Sequence, residues 1–126
     1  MAQPAPREVV DAFLRALGER DFEHARRFLS GEHFATRSPI GTFCDADSYI
    51  EDISRVGPIL ERIERRRLFA EGDQVCAVVD FVTRMDRRYV SPVVFVMQVE
   101  DGKIVSIESF FDASGYTEMF EADRAQ

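Results

Sequence analysis

At 126 residues, 45% hydrophobic and 31% charged, the chain is long enough to bury a core and has no room for a second domain. Lys and Arg number 16 against 23 Asp and Glu, and the resulting net charge of −7 excludes general affinity for nucleic acid or an anionic membrane surface. No apolar run reaches the roughly 18 residues of a spanning helix, and Met1-Ala-Gln-Pro-Ala-Pro lacks a charged start followed by an apolar core, so no secretory leader is expected. One cytoplasmic domain over residues 1–126 is expected, with 1–6 as a flexible tail.

From Arg7 onward, Val9, Val10, Phe13, Ala16 and Leu17 follow helical spacing, with Gly18 as a C-terminal stop. Asp21 caps a second, shorter helix carrying Phe22, Ala25, Phe28 and Leu29, ended by Ser30-Gly31. Residues 33–37 alternate as a short strand with Phe34 and Thr36 on one face, and Ser38-Pro39-Ile40-Gly41 turns the chain back through Thr42 to Cys44. Asp45 or Asp47 caps a third helix with Tyr49, Ile50, Ile53 and Val56 as its apolar face, and Gly57-Pro58 terminates it.

The rest is sheet: Ile59 to Ala70, a Glu71-Gly72-Asp73 turn, Val75 to Arg84, a turn through Met85 to Arg88, and a long hairpin from Pro92 to Asp112. In that hairpin, β-rich runs flank Glu100-Asp101-Gly102-Lys103, where glycine tolerates positive φ. Beyond Asp112, Ser114 caps a last helical turn with Tyr116, Met119 and Phe120 on one face. Three helices followed by four long strands make an α+β chain with its helices gathered on one face of a mostly antiparallel sheet.

Along Val75 to Thr83 the alternation is read with Cys76, Val78, Asp80 and Val82 turned inward and Val75, Ala77, Val79 and Phe81 turned away from the helices. The outer set makes the side without helices too apolar for water, so a homodimer built through the sheet is expected. Cys44 and Cys76 form no CxxC pair and lie beside or within apolar stretches, as buried free thiols do.

The order of these elements, with Ser38-Pro39-Ile40-Gly41 at the corner and Glu100-Asp101-Gly102-Lys103-Ile104 and Phe110-Phe111-Asp112 near the end, resembles the nuclear transport factor 2-like superfamily. That group includes SnoaL-like polyketide cyclases, ketosteroid isomerases and limonene epoxide hydrolases. The resemblance covers residues 7–121 and implies a strongly curved sheet wrapped as a cone around three helices, leaving an apolar pocket open at one end. An isomerase of this kind needs a carboxylate and two acidic hydrogen-bond donors, and the corresponding positions here are Ser38, Phe13 and Val94. The hydrolase positions correspond to Phe34, Thr36, Asp80, Val78 and Ser109, of which Asp80 alone keeps the acid.

Asp80 is therefore the candidate catalytic group, a carboxylate in a very apolar run that must be paired, hydrogen-bonded or protonated. Its other reading is a structural ion pair with Arg84 or an arginine of the neighbouring strand. His33 is the candidate partner, while His24 lies on the polar side of its helix. With two histidines and no ligand spacing, no metal and no cofactor are expected. The arginines at 62, 65, 66, 67, 84, 87 and 88 are read as cross-strand partners of Glu61, Glu64, Asp80 and Asp86 or as an anion-binding patch.

The expected pocket is lined from the helices by Phe13, Leu17, Phe28, Tyr49 and Ile53. From the strands come Phe34, Val78, Val82, Val93, Phe95, Ile107 and Phe111. Thr36 and Ser109 join Asp80 as its polar groups. Such a lining suits a small, mostly apolar polyketide-, steroid- or terpene-like ligand bearing an oxygen. Three functions remain open: a ligand-binding domain, an acid–base enzyme of the isomerase, cyclase, dehydratase or epoxide-hydrolase type using Asp80, and a dimerisation or adaptor module.

Overall fold

The computed structural model describes residues 4–113; the turn expected from Ser114 onward lies outside them. Helix α1 spans Pro6–Gly18, with proline at its first turn, where the missing N–H costs no hydrogen bond. Its buried residues include Val10, Phe13, Leu14 and Leu17. Gly18 is still helical, and the left-handed turn falls instead on Arg20 (φ 61°). There the guanidinium donates to the Leu60 carbonyl at 2.6 Å, fixing the helix end to the start of the main sheet.

Helix α2 covers Phe22–Arg26, shorter than its apolar spacing suggests, and Asp21 caps it by accepting the His24 N–H. Past its end the chain is held by the sheet, since Ile104 N–H donates to Phe28 O at 2.8 Å and Ser30 N–H to Ile104 O at 2.9 Å. Strands β1 (Ala35–Ser38) and β2 (Gly41–Phe43) form a small hairpin. Helix α3 runs Ala46–Ser54, and the choice of cap falls on Asp45. Its carboxylate accepts the Ser48 N–H at 2.8 Å and the Ser48 hydroxyl at 2.9 Å, which hold it below the usual carboxylate range. A single 3-10 turn at Gly57–Ile59 leads into the long strands.

These are β3 (Leu60–Glu71), β4 (Gln74–Arg84), β5 (Arg88–Glu100) and β6 (Lys103–Phe110). The six strands form one unclosed, curved sheet in the order β2-β1-β6-β5-β4-β3. All pairs are antiparallel except β1 with β6. Asp101 (φ 52°) and Gly102 (φ 76°) turn β5 into β6 with the left-handed pair that suits the right-handed twist of a hairpin. Register shifts at Leu60/Arg62 and Arg65/Arg67 in β3, and at Val105 of β6 opposite Gln98/Val99, bend the sheet around the helices. The fold is thus the expected α+β cone.

One expectation is reversed. Val75, Ala77 and Val79 of β4 are fully buried in the core that α1 completes, so the other set, Cys76, Val78 and Asp80, faces the helix-free side. Both sets are apolar enough to be core; the register against Phe95, Met97 and the helices selects the first. The thiols also differ from expectation, for Cys44 is exposed and Cys76 half-buried. Among the described residues no helix is long and apolar enough to cross a membrane.

Candidate functional site

The concave side of the sheet is not wholly filled by helices. Helix α1 packs its aromatic and aliphatic residues into the deep end, but the shorter α3 leaves a hollow of about 660 Å³ between itself and the β4–β5 end of the sheet. Strand β5 supplies Tyr89, Ser91, Val93 and Phe95 from its inward positions, and Phe81 joins from β4, 6.1 Å from the Phe95 ring. Helix α3 contributes Tyr49, Asp52 and Ile53 from one helical face, and Val56 joins them from the turn that follows. The corner between β1 and β2 closes a third side with Thr36, Ser38, Ile40 and Phe43, and Ser109, Phe111 and Asp112 close the fourth. Exposed Met85, Asp86 and Arg87 stand where the hollow meets solvent.

Its polar groups are few and differ in whether they are already engaged. Thr36 Oγ1 accepts the Phe43 N–H at 3.2 Å, and the Ser38 hydroxyl is used within its own turn, donating to Gly41 O. Tyr89 donates its hydroxyl to Asp86 at 3.2 Å, and the Arg87 guanidinium stacks 4.9 Å above the Tyr89 ring. Asp52 stands 3.7 Å from Arg55. Tyr49 is different. Its ring is held by Phe34 at 5.7 Å and Phe43 at 6.3 Å, only 7% of the residue is exposed, and its hydroxyl bonds to no described residue. Burial first, and the Asp52 charge second, push its pKa upward, so the phenol stays protonated. Ser109, also 7% exposed, faces the same hollow without a protein partner among the described residues.

The structure thus gathers Thr36, Tyr49, Ile53, Val93, Phe95, Ser109 and Phe111 around one cavity. It leaves the other expected lining residues out. Phe13, Leu17 and Ile107 are packed solid at the deep end, Phe34 stands behind Tyr49, and Phe28 packs against the core from outside it. Val78 and Val82 share the strand parity of Asp80 and are not in the lining.

The candidate catalytic pair is not assembled. Asp80 lies on the helix-free face with one carboxylate oxygen 3.6 Å from Arg66, and its Cα partner across β3 is Glu64. His33 is exposed, and its backbone N–H is held by the Ser30 hydroxyl at 3.1 Å. Neither residue touches the cavity. Of the arginines, Arg84 and Arg88 pair across strands with Glu61 and Arg66 with Asp80, whereas Arg62 pairs within its own strand with Glu61 and Glu64, and Arg65 pairs with Asp11 of α1.

Several lining residues escaped the sequence reading. The alternation read for β4 puts Phe81 on the other face, Arg87 falls in the expected Met85 to Arg88 turn, and Tyr89 follows it with no signal of its own. Asp52 carried a usable signal, because it sits one helical turn from Tyr49 on a helix whose face points inward.

The chain matches the model of the SnoaL-like domain over residues 10–107. No curated protein matches it. Among solved structures it is similar to an NTF2-like protein from Cytophaga hutchinsonii, at 22% identity and TM-score 0.77, covering 91% of this chain and 96% of that one. It is similar to an epoxide hydrolase from M. tuberculosis, at 21% identity and TM-score 0.73, over 86% and 84% of the two chains. The structure of TerC co-crystallised with polyporic acid is a third, at 20% identity and TM-score 0.77, covering 93% and 99%. At these identities the likeness is one of fold.

Proposed function

The chain belongs to the SnoaL-like domain family, and from that premise we propose that it binds a small, mostly apolar ring compound of polyketide-, steroid- or terpene-like character in the cavity between α3 and β5. The observation that carries this reading is the cavity itself: about 660 Å³, walled by aromatic and aliphatic side chains with a few convergent hydroxyls. Its volume falls within the range of small-molecule sites, and a few fixed polar groups in an apolar wall orient such ligands. That TerC was co-crystallised with polyporic acid supports a ring compound as the occupant. Nile red, a neutral fluorescent dye, tests it: saturable binding displaced by fluorenone is the expected result, and no saturable binding overturns the reading.

A second reading, acid–base chemistry on the same ligand, is favoured by the position of Asp52 on the cavity wall. In this role it replaces Asp80. Deuterium uptake at the α-carbon of tetralone, catalysed by the protein and lost in Asp52→Asn, is the expected sign, and uptake equal to that in buffer excludes it.

The chain also pairs, in this proposal, with a second copy through the helix-free face. Phe69 and Phe110 stand half-exposed there, near half-buried Val78, Val94 and Val96. Glu108 on β6 and Arg67 on β3 occupy opposite sides of this face, so a two-fold axis brings unlike charges together.

A further inference from the structure

The cavity holds two hydroxyls whose hydrogen-bonding capacity the protein leaves unused. Tyr49 and Ser109 are both more than nine-tenths buried, both line the hollow, and neither bonds to a described residue. Neither hydroxyl is among the fully buried polar atoms that lack a partner, so each is open to the hollow and bonds to whatever fills it. The Tyr49 ring is packed by Phe34 and Phe43 at 5.7 and 6.3 Å, which holds its hydroxyl in place on the wall.

The charges around these hydroxyls have one prevailing sign. Asp52 and Asp86 line the cavity, Asp52 with Arg55 at 3.7 Å, and Arg87 is the cation among the described lining residues. Arg87 is committed to the Tyr89 ring at 4.9 Å and stands beside Asp86. A ligand carboxylate would enter a low-dielectric space facing these acids, with no uncommitted cation among the described lining residues. A neutral oxygen meets no such penalty and still accepts a hydrogen bond.

Building on the ligand-binding reading, we propose that Tyr49 is the specificity-determining donor of this cavity, selecting neutral ring compounds that carry a carbonyl oxygen over their hydrocarbon and carboxylate counterparts, with Asp52 repelling the acids. Tyr49 donates its O–H to the ligand carbonyl, and Ser109 provides a second hydrogen bond from the opposite wall. Burial keeps the phenol protonated and therefore a donor across the ordinary pH range.

Three compounds on one skeleton test this on the full chain: fluorenone, fluorene and fluorene carboxylate, with affinities read by Nile red displacement. Fluorenone is expected to bind about tenfold more tightly than fluorene, the worth of one buried hydrogen bond, and the carboxylate more weakly than either. In Tyr49→Phe, which keeps the ring contacts, the preference for fluorenone over fluorene shrinks to within about twofold while fluorene affinity is unchanged. In Asp52→Asn the carboxylate gains relative to fluorenone. Equal affinities for fluorenone and fluorene in the unmutated chain, or tightest binding of the carboxylate, overturn this inference and leave an apolar binding cavity standing. Failure of all three compounds and of the dye overturns the binding reading itself.

Discussion

Asp80 and Arg66 face each other on the helix-free side of the sheet, the carboxylate oxygen 3.6 Å from the guanidinium, with Asp80 15% and Arg66 54% exposed at the side chain. Arg66 is the extra residue at the register shift between Arg65 and Arg67, which lets it reach an acid on the next strand. The pair is thus part of how β3 is bent onto β4. The Asp80 oxygen is buried and accepts no hydrogen bond, and with the Arg66 guanidinium half in solvent the pair contributes on the order of 1 kcal/mol or less. Asp80→Asn should therefore shift the urea midpoint only slightly and leave dye affinity unaltered; a loss of binding would return Asp80 to the site.

Ser91 occupies the wall of the hollow on β5, between Tyr89 and Val93, where a larger side chain has empty space to enter. Ser91→Trp should fill part of the cavity and lower Nile red affinity by tenfold or more, with the far-UV circular dichroism spectrum retained. Undiminished binding would place the dye elsewhere.

Phe13 is fully buried at the deep end, in the core shared by α1 and the middle strands. Phe13→Ala should destabilise the protein by about 3–5 kcal/mol through lost transfer energy and the void left behind. Chemical denaturation measures this directly. A cost under about 1 kcal/mol would mean that the deep end is not packed solid.

Glu61 gathers three arginines, and its hydrogen bond from Arg88, followed by the charges of Arg88, Arg62 and Arg84, lowers its pKa from the ordinary 4.5. A carboxylate whose folded pKa is depressed stabilises the folded chain above the unfolded pKa, and that stability drains away as pH falls through the folded value. Stability should decline as the pH drops below about 4.5, and Glu61→Gln should flatten the decline. Parallel acid-unfolding curves for the two proteins would rule this out.

If the helix-free face joins two copies, light scattering should return twice the 14.4 kDa of one chain. Val96→Lys combined with Phe110→Glu should return a monomer while the cavity still binds dye. A unmutated chain that runs as a monomer at micromolar concentration would exclude the pairing.

Much of this protein was legible in one dimension. Helix and strand periodicities, the Asp21 cap, the Asp45 alternative and the Asp101-Gly102 turn are local signals, and the order of elements that they spell out carries the likeness to SnoaL-like domains. Seven of the expected lining residues also meet in the cavity, drawn from β1, α3, β5, β6 and the residue after it.

What the linear chain left undetermined was which face of β4 turns inward. Val75, Ala77, Val79 and Phe81 alternate with Cys76, Val78, Asp80 and Val82, and both sets are apolar enough to be core. Only the register against β5 and the seating of α1 choose between them, and that choice alone carries Asp80 out of the cavity and Phe81 into it. Likewise, no local signal shows that α1 fills one end of the cone and α3 leaves the other open. Patterning sets which residues leave water; packing between elements distant in sequence sets what each of them meets, and so where the hollow and its unpaired hydroxyls come to lie.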